Sequence, residues 1–182
     1  MFAYYAARLL LLPGIVLHEL SHYYFCRMVG ADVHEVCFFS FGYPAGYVIH
    51  TAPRRFRAHV AIVMGPLLIN SVVAVALFCA AIATWRELGA LDPSEWPGPA
   101  LRLLAAGWLG LVAALQALPS TGDAVSLWQV AKWHGRNGNP AALVAYPVAL
   151  VIQLTNWLRT VWVDWLYTAG LAWLAFRLSA LG

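Results

Sequence analysis

From Phe2 to Leu17 the chain is apolar except for Arg8 and the Pro13-Gly14 pair, and after a short polar interruption the apolar pattern resumes at Tyr23-Tyr24-Phe25-Cys26. This predicts one helix over residues 2–29, roughly 42 Å long and enough for a full membrane span with overhang. Arg27 and Gly30 mark its end. From Val33 to Thr51 aromatic and β-branched residues are interrupted by Gly42, Pro44 and Gly46, the pattern of two short strands, Val33–Phe41 and Gly46–Thr51, around a turn. Such a ribbon cannot lie bare in lipid, so it is expected at the interface or against the other helices, where a free edge can pair with an extended peptide. A second span is predicted over 58–84, containing Gly65-Pro66 and Asn70, residues that permit close helix contact and interhelical hydrogen bonding. A third runs from Ala100 to Leu118 and breaks at Pro119-Ser120-Thr121-Gly122-Asp123, before a helical stretch from Ala124 to His134. Unwound backbone is accepted in a membrane only where it is buried in protein or lines a wet cavity, and Asp123 is expected in that break. Asn139-Pro140 reads as a cap and a helix-starting proline. The stretch 140–181 would be about 63 Å long as one helix, too long for one span. It divides near Thr155 to Thr160 into spans 140–158 and 161–181, with Arg159 and Asp164 at the boundary and Trp157, Trp162 and Trp165 clustered there as interfacial aromatics. The predicted fold class is an all-α polytopic membrane protein of about five transmembrane helices, with a small interfacial β-hairpin after the first.

Composition strengthens that picture. The chain is 62% hydrophobic and 10% charged, with a mean hydropathy of +0.70, far from the quarter charged that is usual in soluble domains. Its 182 residues suit a single transmembrane domain, a core over 1–134 with two additional helices over 139–182. The net charge of +3 rests on scattered residues, so no nucleic-acid partner is expected. Arg27, Arg54, Arg55, Arg57, Lys132 and Arg136 fall on one side of three successive spans, whereas the loop Trp85–Pro99 on the other side is mainly acidic. By the positive-inside rule the N-terminus is outside. Cys26, Cys37 and Cys79 lack metal-ligand spacing and read as packing residues. A cleaved signal peptide is not expected, because the first apolar stretch runs straight into the polar cluster described next.

That cluster, His18-Glu19-Leu20-Ser21-His22, sets two imidazoles and a carboxylate inside an apolar run. On a helix, His18 and His22 lie one turn apart on one face and can reach the same metal ion, leaving Glu19 beside it as a general base for water. An ionised group at the centre of a membrane helix costs about 2.5–3.5 kcal/mol on insertion scales, and a bound cation is the simplest offset. Depth brings in Asp123. Counting back from Val29 and from His134 places His18, His22 and Asp123 roughly 10–17 Å below one membrane face, in one layer on the cytoplasmic side.

Three features in this order resemble the site-2 protease family of intramembrane zinc metalloproteases: the His18–His22 motif, the Gly65-Pro66-Leu67-Leu68-Ile69-Asn70 stretch, which is similar to the family's GPxxN pattern with one residue more before the asparagine, and Gln116-Ala117-Leu118-Pro119 leading to Asp123. Pro44-Ala45-Gly46-Tyr47-Val48 resembles the glycine-rich strand that the family places between its first core helices. The resemblance covers about residues 15–125. It implies one Zn2+ held by His18, His22 and Asp123, Glu19 as the base, and hydrolysis of a peptide bond in or near a transmembrane segment of a membrane-protein substrate. Gln116 and Asn70 become candidates for donating to the oxyanion. The family usually has Asn where Gln116 stands, Leu-Asp-Gly where Thr121-Gly122-Asp123 stands, and five residues from proline to aspartate rather than four. One residue turns a helix by about 100°, so Asp123 faces the zinc if the break is locally unwound.

The expected partners are the lipid bilayer, a membrane-protein substrate and a regulatory membrane partner; oligomeric state is open. Two other readings use the same residues. A silent adaptor of the same fold has no need for Glu19, and a proton or metal transporter, relaying through His18, His22 and Asp123, is expected to show repeated halves. His34, His50, His59 and His134 fall in or beside presumed interfacial segments and are expected to have ordinary surface roles, as are Asp32, Glu35 and Asp164.

Overall fold

The computed structural model describes residues 2–181 apart from 54, 139, 141 and 159–161. Arg54 of the basic group, the Asn139 cap and the Arg159-Thr160 boundary therefore lie outside the described residues. Helix α1 spans Phe2–Val29, a two-stranded antiparallel sheet follows with β1 Val33–Cys37 and β2 Tyr47–His50, and then come α2 Phe56–Leu88, α3 Pro97–Leu115, α4 Thr121–Arg136, α5 Ala142–Leu158 and α6 Val163–Ser179. The described residues are mostly helical. Helices α2 and α3 are long and apolar enough to cross a bilayer by length and composition.

Helix α2 is the centre of the bundle, with α1, α3 and α6 packed along it and α4 held mainly by α5. The sequence explains the closeness of α1 and α2, because a Cβ at Gly65 would stand 2.5 Å from the Phe25 ring. Only a residue without a side chain lets that ring lie flat on the helix backbone. The apolar core under α4 is Phe56, Val63, Ala124, Leu127, Ala131 and Ile152, so α4 is seated by residues from α2 and α5 together. Much apolar surface faces outward, including Leu68 and Val72 of α2, Leu101 and Leu104 of α3, and Leu166 and Trp173 of α6. An envelope of that kind is covered by hydrocarbon or by another protein.

The β-hairpin lies against α1, one of the two placements expected for it. Its strands are shorter than the pattern suggested, and the ribbon runs back along α1 for roughly 30 Å instead of staying at the helix end. Val33 packs with Cys26 and Val29, Phe38 against Tyr23, and Phe41 against Tyr5. The loop closing the hairpin would expose carbonyls with nothing to bond. Arg8 meets that need: its guanidinium donates to the Ser40 carbonyl at 2.8 Å and also to the Gly42 carbonyl, while lying over the Tyr4 ring. A cation in an otherwise apolar helix is thereby accounted for by the backbone it satisfies. Hydrogen bonds to a charged group contribute roughly 1.5–3 kcal/mol each, so the loss of even one in Arg8→Met should accelerate amide hydrogen exchange in residues 38–46 by at least about tenfold while leaving α2 and α3 protected. Unchanged exchange in that loop would show that Arg8 does not hold it.

Candidate metal centre

Helix α3 ends at Leu115, and the chain is unwound from Gln116 to Ser120 before α4 begins. The break thus sits slightly earlier than the sequence pattern implied, and Asp123 lies in the first turn of α4 rather than in the break itself. Ser120 is the N-cap, its Oγ accepting from the Asp123 amide at 3.2 Å, while an Asp123 carboxylate oxygen accepts the Ser120 amide at 2.6 Å. This reciprocal cap fixes the Asp123 side chain and resolves the shortened spacing from Pro119, because the turn that aims the carboxylate is set by the new helix.

Unwinding also releases backbone carbonyls, and the site uses them. The Gln116 carbonyl accepts from His18 Nδ1 at 2.7 Å and from the Asn70 amide at 3.1 Å. The Ile62 carbonyl accepts from His22 Nδ1 at 2.9 Å. Both rings therefore donate through Nδ1 and turn Nε2 toward each other and toward Asp123, the orientation that carbonyl-bonded metal ligands adopt. The two Nε2 atoms are 3.1 Å apart, and the Asp123 carboxylate oxygens stand 3.5 Å from that of His18 and 3.2 Å from that of His22. Three such groups facing one another form a set that a cation can bridge. Two ligands about 2.0–2.1 Å from one tetrahedral ion lie about 3.3 Å apart, close to the separation of the two Nε2 atoms and to that of each Nε2 from one of the two Asp123 oxygens. The cluster can hold a metal ion, its ligand atoms all lying within 4.8 Å of one another.

The cluster forms one wall of a cavity of about 610 Å³ that also meets Glu19, Gly46, His50, Gln116 and Ser126. Glu19 is close enough to His18, His22 and Asp123 to interact with each electrostatically. The hairpin covers it closely: a Cβ at Gly46 would stand 2.6 Å from the Glu19 Cγ. Glycine there keeps the backbone just ahead of β2 in contact with the Glu19 side chain.

The remaining expectations divide. Gln116 lines the cavity, whereas Asn70 is fully buried with its amide shared between the carbonyls of Gln116 and Ala113 and its Oδ1 accepting from Ser21. Asn70 thus braces the carbonyl that orients His18, and the space open to a reactant lies elsewhere. Glu35 accepts from the Tyr47 hydroxyl on the hairpin, away from the ligand set. His34 bonds Thr51, and His50 bonds the Thr51 carbonyl at 3.0 Å. His59 and His134 correct the expectation of surface roles: each is only 2% exposed, His134 lying against the rings of Phe56 and Trp133 and His59 beside His50 and Ser126. Cys26 is buried, and all three cysteines are free.

Asn156 was not singled out by the sequence pattern. From α5 its amide donates to the Pro119 and Ser120 carbonyls at 3.1 and 3.2 Å, supplying partners to the unwound stretch just ahead of Asp123. Its signal was an amide inside an apolar helix, the same feature that marked Asn70. The chain matches no family model, no curated protein and no solved structure.

Proposed function

We propose that this chain is an intramembrane zinc metalloprotease of the site-2 protease type, cutting a membrane-protein substrate in or near a transmembrane segment. The observation that carries the reading is the convergence of His18, His22 and Asp123 with both imidazoles locked as Nδ1–H donors and Glu19 alongside. Zn2+ would be held by the two Nε2 atoms and an Asp123 carboxylate oxygen, and when bound it supplies Lewis acidity, polarising a carbonyl and bringing the pKa of water toward about 7. Glu19 removes the proton from the attacking water and returns it to the leaving amine. Gln116, whose side chain borders the same cavity, is the remaining candidate donor to the oxyanion. The cavity wall of Gly46, Tyr47 and Val48 brings β2 backbone beside Glu19, where an extended peptide can be received.

Membrane placement belongs to the same proposal. Five spans with the N-terminus outside put the ligand layer nearer the cytoplasmic face, and the outward apolar side chains of α2, α3 and α6 then meet lipid. In that setting the cavity supplies the protein-lined surroundings that the unwound 116–120 backbone needs.

The test is metal content together with cleavage. Purified full-length protein in detergent should contain about one zinc per chain. Chelation should remove both the metal and the cleavage of co-reconstituted single-span membrane proteins, and added Zn2+ should restore both. Cleavage that persists in metal-free protein would end the reading.

A further inference from the structure

Helix α4 carries Asp123 but packs mainly on α5, whereas the Ile62 carbonyl that orients His22 belongs to α2. Some contact must set the two helices in register if the ligand atoms are to stay within reach of one ion. Among the described residues one side-chain hydrogen bond joins α4 to α2: Ser126 Oγ and His59 Nε2, 3.0 Å apart. Ser126 follows Asp123 by three residues and His59 precedes Ile62 by three, so each pair shares one helix face. A closed circuit results. It runs from Asp123 along one turn of α4 to Ser126, across to His59, along one turn of α2 to Ile62, through its carbonyl to His22 Nδ1, and from His22 Nε2 back to Asp123 at 3.2 Å.

The burial of His59 fits that role. It is 2% exposed, and its Nδ1 has no hydrogen-bond partner. A buried N–H left without an acceptor is rarer than an under-used acceptor, so the proton belongs on Nε2 and His59 donates to Ser126. A buried imidazole kept for a single hydrogen bond is a poor choice for packing alone, which an aromatic side chain of similar shape would serve without an unpaired nitrogen. The neighbouring groups agree: His50 faces His59 with ring centroids 6.1 Å apart and is itself bonded to the Thr51 carbonyl.

We infer that His59 and Ser126 are a positioning pair that sets Asp123 against His22 and thereby governs the affinity of the site for its metal. This rests on the metal-site reading above. The experiment is Co2+ titration of purified full-length protein in detergent, followed by visible absorption, with thermal midpoints measured in the absence of metal. Loss of a group bonded directly to a metal ligand typically lowers affinity 10–100-fold, and a pair that acts one step further out falls at the lower end of that range. Ser126→Ala and His59→Phe should therefore each weaken Co2+ binding by about tenfold or more, and the double variant should be no weaker than the poorer single one, because both remove the same bond. His59→Gln, which keeps an N–H near the position of Nε2, should bind within about threefold of wild type. Ser126 is half-buried beside the cavity, so Ser126→Ala keeps the test decisive even where His59→Phe fails to fold. Wild-type Co2+ affinity in folded Ser126→Ala, or losses that multiply in the double variant, would overturn the inference alone. Wild-type protein that takes up no Co2+ would overturn the metal reading and this inference with it.

Discussion

Glu19→Gln should leave the metal bound and stop cleavage. The two side chains have nearly the same shape, so the fit beneath Gly46 survives, and the ligand set His18, His22 and Asp123 does not include residue 19. What disappears is a carboxylate able to take a proton from water and give it to an amine. Positioned acid–base groups contribute about 10²–10⁴-fold, and a residue serving both halves of the reaction belongs at the upper end. The turnover of a reconstituted substrate should thus fall by roughly 10³–10⁴-fold while zinc stays near one per chain. Near-normal turnover would remove Glu19 from the mechanism. Loss of the zinc along with turnover would instead place Glu19 among the ligands, contrary to the geometry.

The convergence of the two histidines was legible because helix period converts spacing directly into geometry. His18 and His22, one turn apart in a strongly apolar run, have one way to face each other, and α1 runs over the residues that its hydropathy marks. Asp123 was legible by depth but not by orientation, since its direction depends on the Ser120 cap, a local motif overshadowed by the more obvious Pro119 break. The hairpin shows what patterning leaves out. Alternation located its strands, yet nothing local says that a ribbon will run back along α1, because that course depends on Arg8, some thirty residues earlier, meeting the Ser40 and Gly42 carbonyls. His59 was assigned by its place near a span end, and the Ser126 hydroxyl that it bonds lies far along the chain. Tertiary partners of this sort are invisible to windows of a dozen residues.

Asp123 has two tasks that one substitution can separate. As the third residue of α4 it closes the cap with Ser120, and as a carboxylate it completes the ligand set. Asp123→Asn keeps a side-chain oxygen able to accept the Ser120 amide but removes the negative charge, whereas Asp123→Ala removes both. Metal that binds only the folded protein stabilises it by about 2.7 kcal/mol when its free concentration is 100 times Kd. Wild-type protein in detergent should accordingly unfold several degrees higher once Zn2+ is added. Asp123→Asn should show no such rise at the same zinc concentration, and its metal-free midpoint should stay close to that of wild type. Removing one member of a buried charged cluster is severe when a charge is left unpaired. Here both imidazoles keep their hydrogen bonds to the Gln116 and Ile62 carbonyls, so the fold should tolerate the change. Asp123→Ala should lose a further amount of about 1 kcal/mol in metal-free stability, the usual worth of a helix cap. The ordering of the three proteins without metal reports the cap, and the response to zinc reports the ligand. A full zinc-induced rise in Asp123→Asn would show that the two histidines hold the ion without the carboxylate, and the three-ligand site would have to be abandoned.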